Sequence, residues 1–495
     1  MAWQSRQVTL LGQLGGVPFF SIRTPERWDF SLEGSLIMPI KSSLNRLCGR
    51  RTFFKSAGAA SAGLSLANPW NGSDDMEAAT QNVNKNSRPS DLRITDLRVA
   101  TLTGVPFISP IIRVDTNQGI YGLGEVRDGA SKNYALFLKS RLLGENPCNV
   151  DRLFRKIKQF GGPSRQAGGV CAVEMALWDL AGKAYNVPAY QLLGGKFRDK
   201  VRCYADTTES HDPKVYANRM KERINEGYTF LKMDLGVDLV ENVPGAITRP
   251  RGVDVGVQAQ LEHPFTGIEV TDKGIALMAE YVGQIREIVG MEIPLAADHF
   301  GHIGLNSCIR LAKALEKYNM AWLEDMVPWF YTDLLKKITD AVDVPILTGE
   351  DIYLKEEFAK LCDSHAVDMI HPDLATSGGL LETKKIGDYA EERGVAMAMH
   401  FAGSPVSCMA NVHCAAATRN VLCLEIHSVD VPFWSDLVTG VSKPIVQQGF
   451  IPVPESPGLG VALNDDEFKK HLLEPGYFEP TPQWDKERSH DRLWS

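Results

Sequence analysis

Six ionisable residues in the second half of the chain recur at nearly constant intervals, each at the end of a short apolar run. The intervals are 26, 26, 23, 27 and 25 residues. One strand and its following helix occupy about that length, so the spacing predicts six polar side chains at the carboxyl ends of successive parallel strands. In chain order they are Asp298, Glu324, Glu350, Asp373, His400 and Glu425.

The first three of these residues are carboxylates, which suggests a metal site. The residues that lead into Glu324 and Glu350 carry no charge, so neither acid has a cation close by in the sequence. Oxygen ligands alone favour a hard cation such as Mg²⁺ over zinc, and Mg²⁺ keeps open positions for substrate and water. Asp298, Glu324 and Glu350 are therefore predicted to be ligands of Mg²⁺.

Asp373 and His400 follow one another in the same series. A carboxylate bonded to one ring nitrogen of a histidine fixes its tautomer and raises the basicity of the other nitrogen. Such a histidine is suited to abstract a proton from carbon. The order of the two residues therefore predicts that a carboxylate and a histidine lie at the ends of neighbouring strands, where they could form such a pair.

The elements that must position these side chains are typical of a closed barrel. Short apolar runs alternate with amphipathic helical stretches, and strands that alternate with helices pair in parallel. Eight such units are the number in an α/β fold of the (β/α)8 TIM-barrel type, whose strand ends converge on one mouth. The runs cover 201–206, 228–234, 294–298, 320–325, 344–350, 366–373, 394–400 and 421–427.

An α+β domain over residues 91–200 is predicted to precede the barrel, which we place at 201–440. Two strands are expected at 92–100 and 111–115, and Asn117-Gln118-Gly119 is a hairpin turn. Residues 171–185 have apolar side chains at helical spacing, so this helix buries one face.

Composition excludes several classes of protein. The chain has 495 residues with 44% hydrophobic and 23% charged residues, which is typical of soluble globular proteins. The net charge of -8, without a basic run longer than a pair, argues against nucleic acid as a partner. No stretch is apolar for long enough to insert stably in a membrane. The nine cysteines form no CxxC pair, so we expect small core residues.

The first 70 residues are predicted to hold an export signal. No acid lies between Glu33 and Asp74, and Arg50-Arg51 precedes an uncharged run of small residues. This layout resembles the twin-arginine signal and predicts export, with the periplasm as destination. Met38 would start a signal of ordinary length, and 71–90 has the composition of a flexible tether.

Two sequence stretches resemble the mandelate racemase and muconate lactonizing branch of the enolase superfamily. They are residues 173–183, which continue into Leu192-Leu193-Gly194-Gly195, and residues 454–461. The resemblance implies a modified barrel under an α+β capping domain that is built from N-terminal and C-terminal segments, with 441–495 returning to the cap. It also implies Mg²⁺ on the third, fourth and fifth strands, and we expect a homo-oligomer.

The resemblance further assigns roles at the mouth. It implies that His400 is a base oriented by Asp373, and that Glu425 donates a hydrogen bond to the substrate carboxylate. The second strand departs from the pattern, because Lys232 is followed two residues later by Asp234 where the branch has a second lysine. Residues two apart in a strand face the same way, so Asp234 is expected to raise the pKa of Lys232 and keep it a cation.

Further polar residues are expected to contact substrate. His299 and His302 follow the first predicted ligand, and the long segment between 235 and 281 contributes Glu262. Long irregular segments at a barrel mouth usually shape a site.

Together these residues predict Mg²⁺-dependent abstraction of the proton alpha to a carboxylate in a small molecule. The ene-diolate formed must be stabilised by positive charge from the metal and Lys232. Dehydration of a sugar acid to a 2-keto-3-deoxy acid suits this polar mouth best. The alternatives are an epimerase, racemase or cycloisomerase with the same first step, and an exported sugar-acid binding protein without activity.

Overall fold

The computed structural model describes residues 88–248, 268–300 and 303–488. The described part begins with an antiparallel meander of β1 (Ile94–Leu102), β2 (Ser109–Thr116) and β3 (Tyr121–Glu125). Both predicted strands and the hairpin are confirmed, because β2 and β3 pair up to Asp115 opposite Tyr121. The predicted export signal and nearly all of the predicted tether lie outside the described residues.

The meander packs on one long helix, α2 (Gly168–Tyr185), which follows the shorter α1 (Val150–Ile157). Almost every residue of α2 is buried, so the helix lies inside the cap rather than on its surface. Gly124 of β3 is required for this packing, because a Cβ there would lie 2.0 Å from the carbonyl oxygen of Ala172. Together these elements form the predicted α+β capping domain.

Eight parallel strands then close into a barrel, since the first strand pairs with the eighth. Each predicted run contains one strand, so the barrel and its strand count are confirmed. Their side chains divide between a large, mostly aliphatic core and a smaller cluster that contains Tyr204, Phe230 and Trp322. The strands are β4 (Lys200–Asp206), β5 (Leu231–Asp234), β6 (Leu295–Asp298), β7 (Leu323–Glu324), β8 (Ile346–Thr348), β9 (Met369–Ile370), β10 (Ala396–Met399) and β11 (Val421–Ile426).

Seven helices of eight or more residues connect the strands in the described part of the chain, one fewer than the eight expected. After β11 a 3-10 turn at Trp434–Leu437 takes the place of the last helix, and the chain turns back to the barrel instead. The connecting helices are α3 (Pro213–Asn225), α4 (Asp272–Val289), α5 (Leu305–Leu315), α6 (Thr332–Thr339), α7 (Lys355–Ser364), α8 (Gly379–Glu392) and α9 (Pro405–Ala417).

The C-terminal segment touches both parts of the molecule. Strand β12 (Phe450–Pro452) pairs antiparallel with β4 and adds a ninth strand to the barrel sheet. Further on, the Leu473 N–H donates to the carbonyl of Thr101 at 2.9 Å, and the Thr481 hydroxyl donates to that of Leu97 at 2.8 Å. The segment therefore passes from the barrel to the cap.

No helix within the described residues is both long and apolar enough to cross a membrane. Of the cysteines in this part of the chain, all but Cys148 are buried, which agrees with their predicted place in the core.

Candidate active site

The six predicted residues meet at one mouth because parallel strands deliver their carboxyl ends to the same side of a barrel. Asp298 and Glu324 end β6 and β7, and Glu350 follows β8 after one glycine. Asp373 and His400 form an isolated parallel bridge just beyond β9 and β10. Glu425 lies within β11, and Lys232 lies within β5.

Lys232 is the cation at the centre of this cluster. Its Nζ lies 2.8 Å from Oδ2 of Asp298, 2.9 Å from Oε1 of Glu425 and 3.4 Å from Oε1 of Glu324. The side chain is only 1% exposed. Burial alone would lower the pKa of Lys232, but the three carboxylates raise it well above its usual range. The predicted cationic form of Lys232 is thus supported.

The cause predicted for this cation was wrong. Asp234 points towards His299, and Oδ1 of Asp234 lies 3.1 Å from Nδ1 of His299. Asp234 lies at the carboxyl end of β5, where the mouth opens, whereas Lys232 reaches inwards to the carboxylates of other strands. The positive charge of Lys232 is therefore maintained across the barrel and not along its own strand.

Asp373 and His400 form the predicted dyad. Nδ1 of His400 lies 2.6 Å from Oδ2 of Asp373, and its Nε2 lies 2.6 Å from Oε2 of Glu350. Although burial opposes it, Glu350, Glu425 and Asp373 raise the pKa of His400 well above its usual range. This arrangement favours the protonated imidazole, so Nε2 of His400 becomes a proton acceptor when its contact with Glu350 opens.

Arg127 of the capping domain reaches the same dyad, which the sequence analysis missed. Its side chain is 1% exposed, and its Nη1 hydrogen-bonds Asp373 and lies 3.0 Å from Nδ1 of His400. Burial raises the pKa of Asp373, but Arg127 and His400 together lower it by more than burial raises it. The pKa of Asp373 is therefore below its ordinary value. No periodic pattern marks a single arginine after a strand of another domain.

Glu425 is surrounded by cationic groups. Burial raises its pKa, but Lys232, His427 and His400 lower it well below the usual range. This environment favours the ionised carboxylate, which accepts hydrogen bonds and cannot donate one. The donor role that the resemblance implied for Glu425 is not favoured by these charges.

His371 is a second residue that the sequence analysis did not select. It is fully buried, with Nδ1 2.8 Å from Oε1 of Glu324 and Nε2 2.7 Å from the hydroxyl of Tyr204. Burial raises the pKa of Glu324, but His371 and Lys232 together lower it. The sequence did contain a signal for His371. It precedes Asp373 by two residues, and residues two apart in an extended segment face the same way.

The predicted substrate contacts lie at the edge of the mouth. His299 has 62% of its side chain exposed and pairs with Asp234, whereas His302 and Glu262 lie outside the described residues. Nδ1 of His299 also lies 3.4 Å from Oδ2 of Asp298, which itself contacts Nζ of Lys232 at 2.8 Å. The structure thus gathers seven of the predicted residues and places the Asp234–His299 pair beside them, on the exposed side of the mouth.

The donor chemistry of Asp298, Glu324 and Glu350 fits Mg²⁺, because all three supply carboxylate oxygen. Burial and the charge of Glu324 raise the pKa of Asp298 to about 6. A cation bound between the two carboxylates would reduce the repulsion between them. Within the described residues, however, these acids do not form one compact group.

The compact group of metal-ligating type found in that part of the chain is His400, Glu425 and His427, with ligand atoms within 4.8 Å of one another. Oε1 of Glu425 already lies 2.9 Å from Lys232 and 3.2 Å from His427. Its charge is therefore balanced without an ion, and the three acids remain the better candidates for Mg²⁺.

Comparison with known proteins agrees with this architecture. Residues 76–194 match the family model of the mandelate racemase / muconate lactonizing enzyme N-terminal domain, and residues 215–467 match that of the enolase C-terminal domain-like family. A mandelate racemase/muconate lactonizing enzyme-like protein from Rubrobacter xylanophilus superposes with a TM-score of 0.70 at 31% identity, covering 78% of this chain and 99% of that protein.

Two curated relatives carry more specific names. The D-xylonate dehydratase of Haloferax volcanii is 36% identical over 412 residues, which cover 81% of this chain and 94% of the relative. The D-galactonate dehydratase family member RspA of Pantoea ananatis is 27% identical over 423 residues, or 81% and 98% of the two chains. With both family models matched and the barrel, cap and polar mouth in place, the chain belongs to the mandelate racemase and muconate lactonizing enzyme family of the enolase superfamily.

Proposed function

We propose that this enzyme is a sugar-acid dehydratase, which removes the proton alpha to a carboxylate and expels the neighbouring β-hydroxyl to give a 2-keto-3-deoxy acid. The observation that carries the proposal is the Asp373–His400 dyad, which shares one mouth with a buried lysine and three acids. The 36% identity to a protein named D-xylonate dehydratase points to the same class of substrate.

The described side chains supply what this chemistry needs. A proton alpha to a carboxylate is weakly acidic, so the negative charge that develops must be stabilised electrostatically. Lys232 is a buried cation suited to that task, and Asp373 holds Nδ1 of His400 so that Nε2 faces the mouth. His400 acts as the base once its contact with Glu350 has opened.

Asp298, Glu324 and Glu350 are the residues that would hold Mg²⁺. When bound, Mg²⁺ supplies positive charge that stabilises a substrate carboxylate and its ene-diolate. These carboxylates come from three successive strands of a rigid barrel, which fixes their positions relative to Lys232 and His400.

The test is a turnover assay in deuterated water with Mg²⁺ and D-xylonate, D-galactonate, D-gluconate or arabinonate. We expect a 2-keto acid from at least one of them, lost on chelation and lost in His400→Asn. Lys232→Met should be slower by about 10²-fold, the scale of one lost electrostatic donor. Exchange of the α-proton without a keto product would instead favour the epimerase or racemase. Neither exchange nor product would favour the binding protein.

We further propose that the protein is exported by the twin-arginine route. The proposal rests on Arg50-Arg51 and the acid-free segment around it, all outside the described residues. Replacing both arginines with lysine should retain the precursor in the cytoplasm, as judged by fractionation of cells that express the full chain. Processed protein in the periplasm at the wild-type level would refute this route.

A further inference from the structure

A second Asp-His pair lies at the mouth, beside the first. Asp206 ends β4 and His427 directly follows β11, and these neighbouring strands pair up to Ala205 and Ile426. The register therefore brings the two side chains together, with Nδ1 of His427 2.8 Å from Oδ2 of Asp206.

The two dyads face each other across Glu425. Nε2 of His427 lies 3.2 Å from Oε1 of Glu425, and Nε2 of His400 lies 3.9 Å from its Oε2. The two imidazole rings are 5.7 Å apart, centre to centre. In each histidine an aspartate holds Nδ1, so both Nε2 atoms are directed towards the same space.

His427 has the features of a proton donor. Burial opposes it, but Asp206 and Glu425 raise the pKa of His427 to about 10, so the imidazole carries a proton at neutral pH. Within the described part of the chain its Nε2 makes no aligned hydrogen bond. The side chain of His427 is 13% exposed, compared with 6% for His400. Phe107 of the capping domain packs edge to face on the His427 ring, with the ring centres 6.2 Å apart.

Dehydration needs two proton transfers of opposite direction, one from Cα and one to the departing hydroxyl. We propose that His427, oriented by Asp206, is the general acid that protonates the β-hydroxyl, while His400 removes the α-proton. This inference rests on the proposed dehydratase function and assigns the second transfer to a residue outside the predicted set. Asp206 is a positioning residue, because it acts through His427.

The proton balance closes with these two imidazoles. The Cα–H bond breaks, its proton goes to Nε2 of His400, and the electron pair forms the ene-diolate. That pair then forms the Cα–Cβ double bond, the Cβ–O bond breaks, and the oxygen leaves as water with the Nε2 proton of His427. The resulting enol takes the proton from His400 at Cβ and returns its hydroxyl proton to His427, which gives the 2-keto acid.

The experiment compares two substrates in the same variant, using the full chain with Mg²⁺. The substrates are D-xylonate and its analogue with fluorine in place of the β-hydroxyl, since fluoride leaves without a proton. In His427→Asn we expect formation of 2-keto acid from D-xylonate to fall by about 10²-fold or more, the usual contribution of general acid catalysis. Exchange of the α-proton and release of fluoride should continue at wild-type rates, which also shows that the variant is folded.

Two further variants complete the test. Asp206→Asn should show the same pattern with a smaller loss, because the imidazole remains but its charge is less favoured. His365→Asn is the matched control, since it removes an exposed imidazole whose φ of 48° asparagine tolerates well. We expect wild-type rates on both substrates.

The outcomes separate the two proposals. If wild-type protein dehydrates D-xylonate but His427→Asn does so equally fast, the inference is overturned and the dehydratase function stands. Equal losses of dehydration, α-proton exchange and fluoride release would also overturn it, because His427 would then support the site as a whole. Wild-type protein that forms no 2-keto acid from any of the four sugar acids overturns both.

Discussion

Two groups of buried carboxylates in this protein have opposite kinds of partner. The junction carboxylates, Glu125 and Glu174, lie between cap and barrel and accept hydrogen bonds mainly from backbone N–H groups. The mouth carboxylates, Asp298, Glu324 and Glu350, face Lys232, His371, His400 and Arg127. Glu125 and Glu174 are almost fully buried, whereas Glu350 keeps 26% of its side chain exposed, so the two groups differ in access to solvent as well as in their partners.

The junction carboxylates act as caps of barrel helices. Glu125 accepts from the N–H and hydroxyl of Ser404 and the N–H of Ser407, at the start of α9. Glu174 accepts from the N–H groups of Leu380 and Leu381 at 2.7 and 3.1 Å, at the start of α8. α9 begins shortly after His400, and α8 follows Asp373 after one short helical turn at Leu374–Ser377, so the cap anchors the elements behind the dyad.

The difference in partners explains a difference in pKa. Burial raises the pKa of Glu125 to about 7 and that of Glu174 to about 8, because amide groups offset only part of the lost hydration. Cationic partners lower the pKa of Glu324 and Glu350 in spite of burial, whereas burial and Glu324 outweigh Lys232 at Asp298 and raise its pKa to about 6. Amide partners are also fixed in place, whereas a cationic side chain can exchange its partner for a metal or a substrate.

The largest expected effect is at the mouth. Glu324→Gln should lower turnover by roughly 10³-fold or more, because a metal ligand contributes several kcal/mol of charge stabilisation. Calorimetric titration should show that Mg²⁺ binding is lost, while circular dichroism shows a folded protein. Full activity that persists in the presence of a chelator would contradict the assignment of these acids as ligands.

The next effect concerns the pH dependence of stability at the junction. Because Glu125 has its pKa raised from an ordinary 4.5 to about 7, the folded protein binds more protons than the unfolded chain between these values. Its contribution is complete below pH 4.5 and is lost as the pH rises through 7, by about 3 kcal/mol. Urea unfolding at several pH values should show a shallower decline in Glu125→Gln. Identical slopes would show that the carboxyl of Glu125 does not titrate in this range.

Arg127 tests whether a cap residue can act at the mouth. Arg127→Met leaves Asp373 without its arginine, so His400 loses a fixed orientation and kcat should fall by about 10²-fold, as for one lost electrostatic contact. KM should change little if Arg127 acts through the dyad rather than on substrate. Arg127→Lys should restore part of kcat. A change confined to KM would place Arg127 in direct contact with substrate.

The smallest effect is again at the junction. Glu174→Gln replaces one acceptor oxygen with an amide N–H that faces a backbone donor, which should cost about 2 kcal/mol of unfolding free energy. The kcat of the folded fraction should stay near the wild-type value, as measured by turnover at low temperature beside a thermal melt. The carboxylate of Glu174 packs directly against Gly379. A side chain at position 379 would place its Cβ only 2.0 Å from Oε2 of Glu174, so the contact requires glycine. A loss of kcat without a loss of stability would remove the distinction between the two groups.

Much of the barrel was predictable because its signals are local. Each strand is a short apolar run that ends in a polar residue, so spacing alone predicts that the six ionisable groups from Asp298 to Glu425 share one mouth. The same run ends also contained Asp206 and His427, but a polar residue at one strand end is uninformative without its partner. The missing eighth barrel helix had no comparable signal, since the chain simply turns back through β12.

The sequence by itself thus determined the strand count, the common mouth and the set of acids, because periodicity and spacing are properties of neighbouring residues. Only the tertiary structure decided which cation faces which acid. Arg127 is 246 residues from Asp373, and Lys232 is 193 residues from Glu425. Such pairs depend on how the cap docks and how the barrel closes. A charge that is buried by this closure must be paired with an opposite charge, and the fold alone decides which one lies close enough.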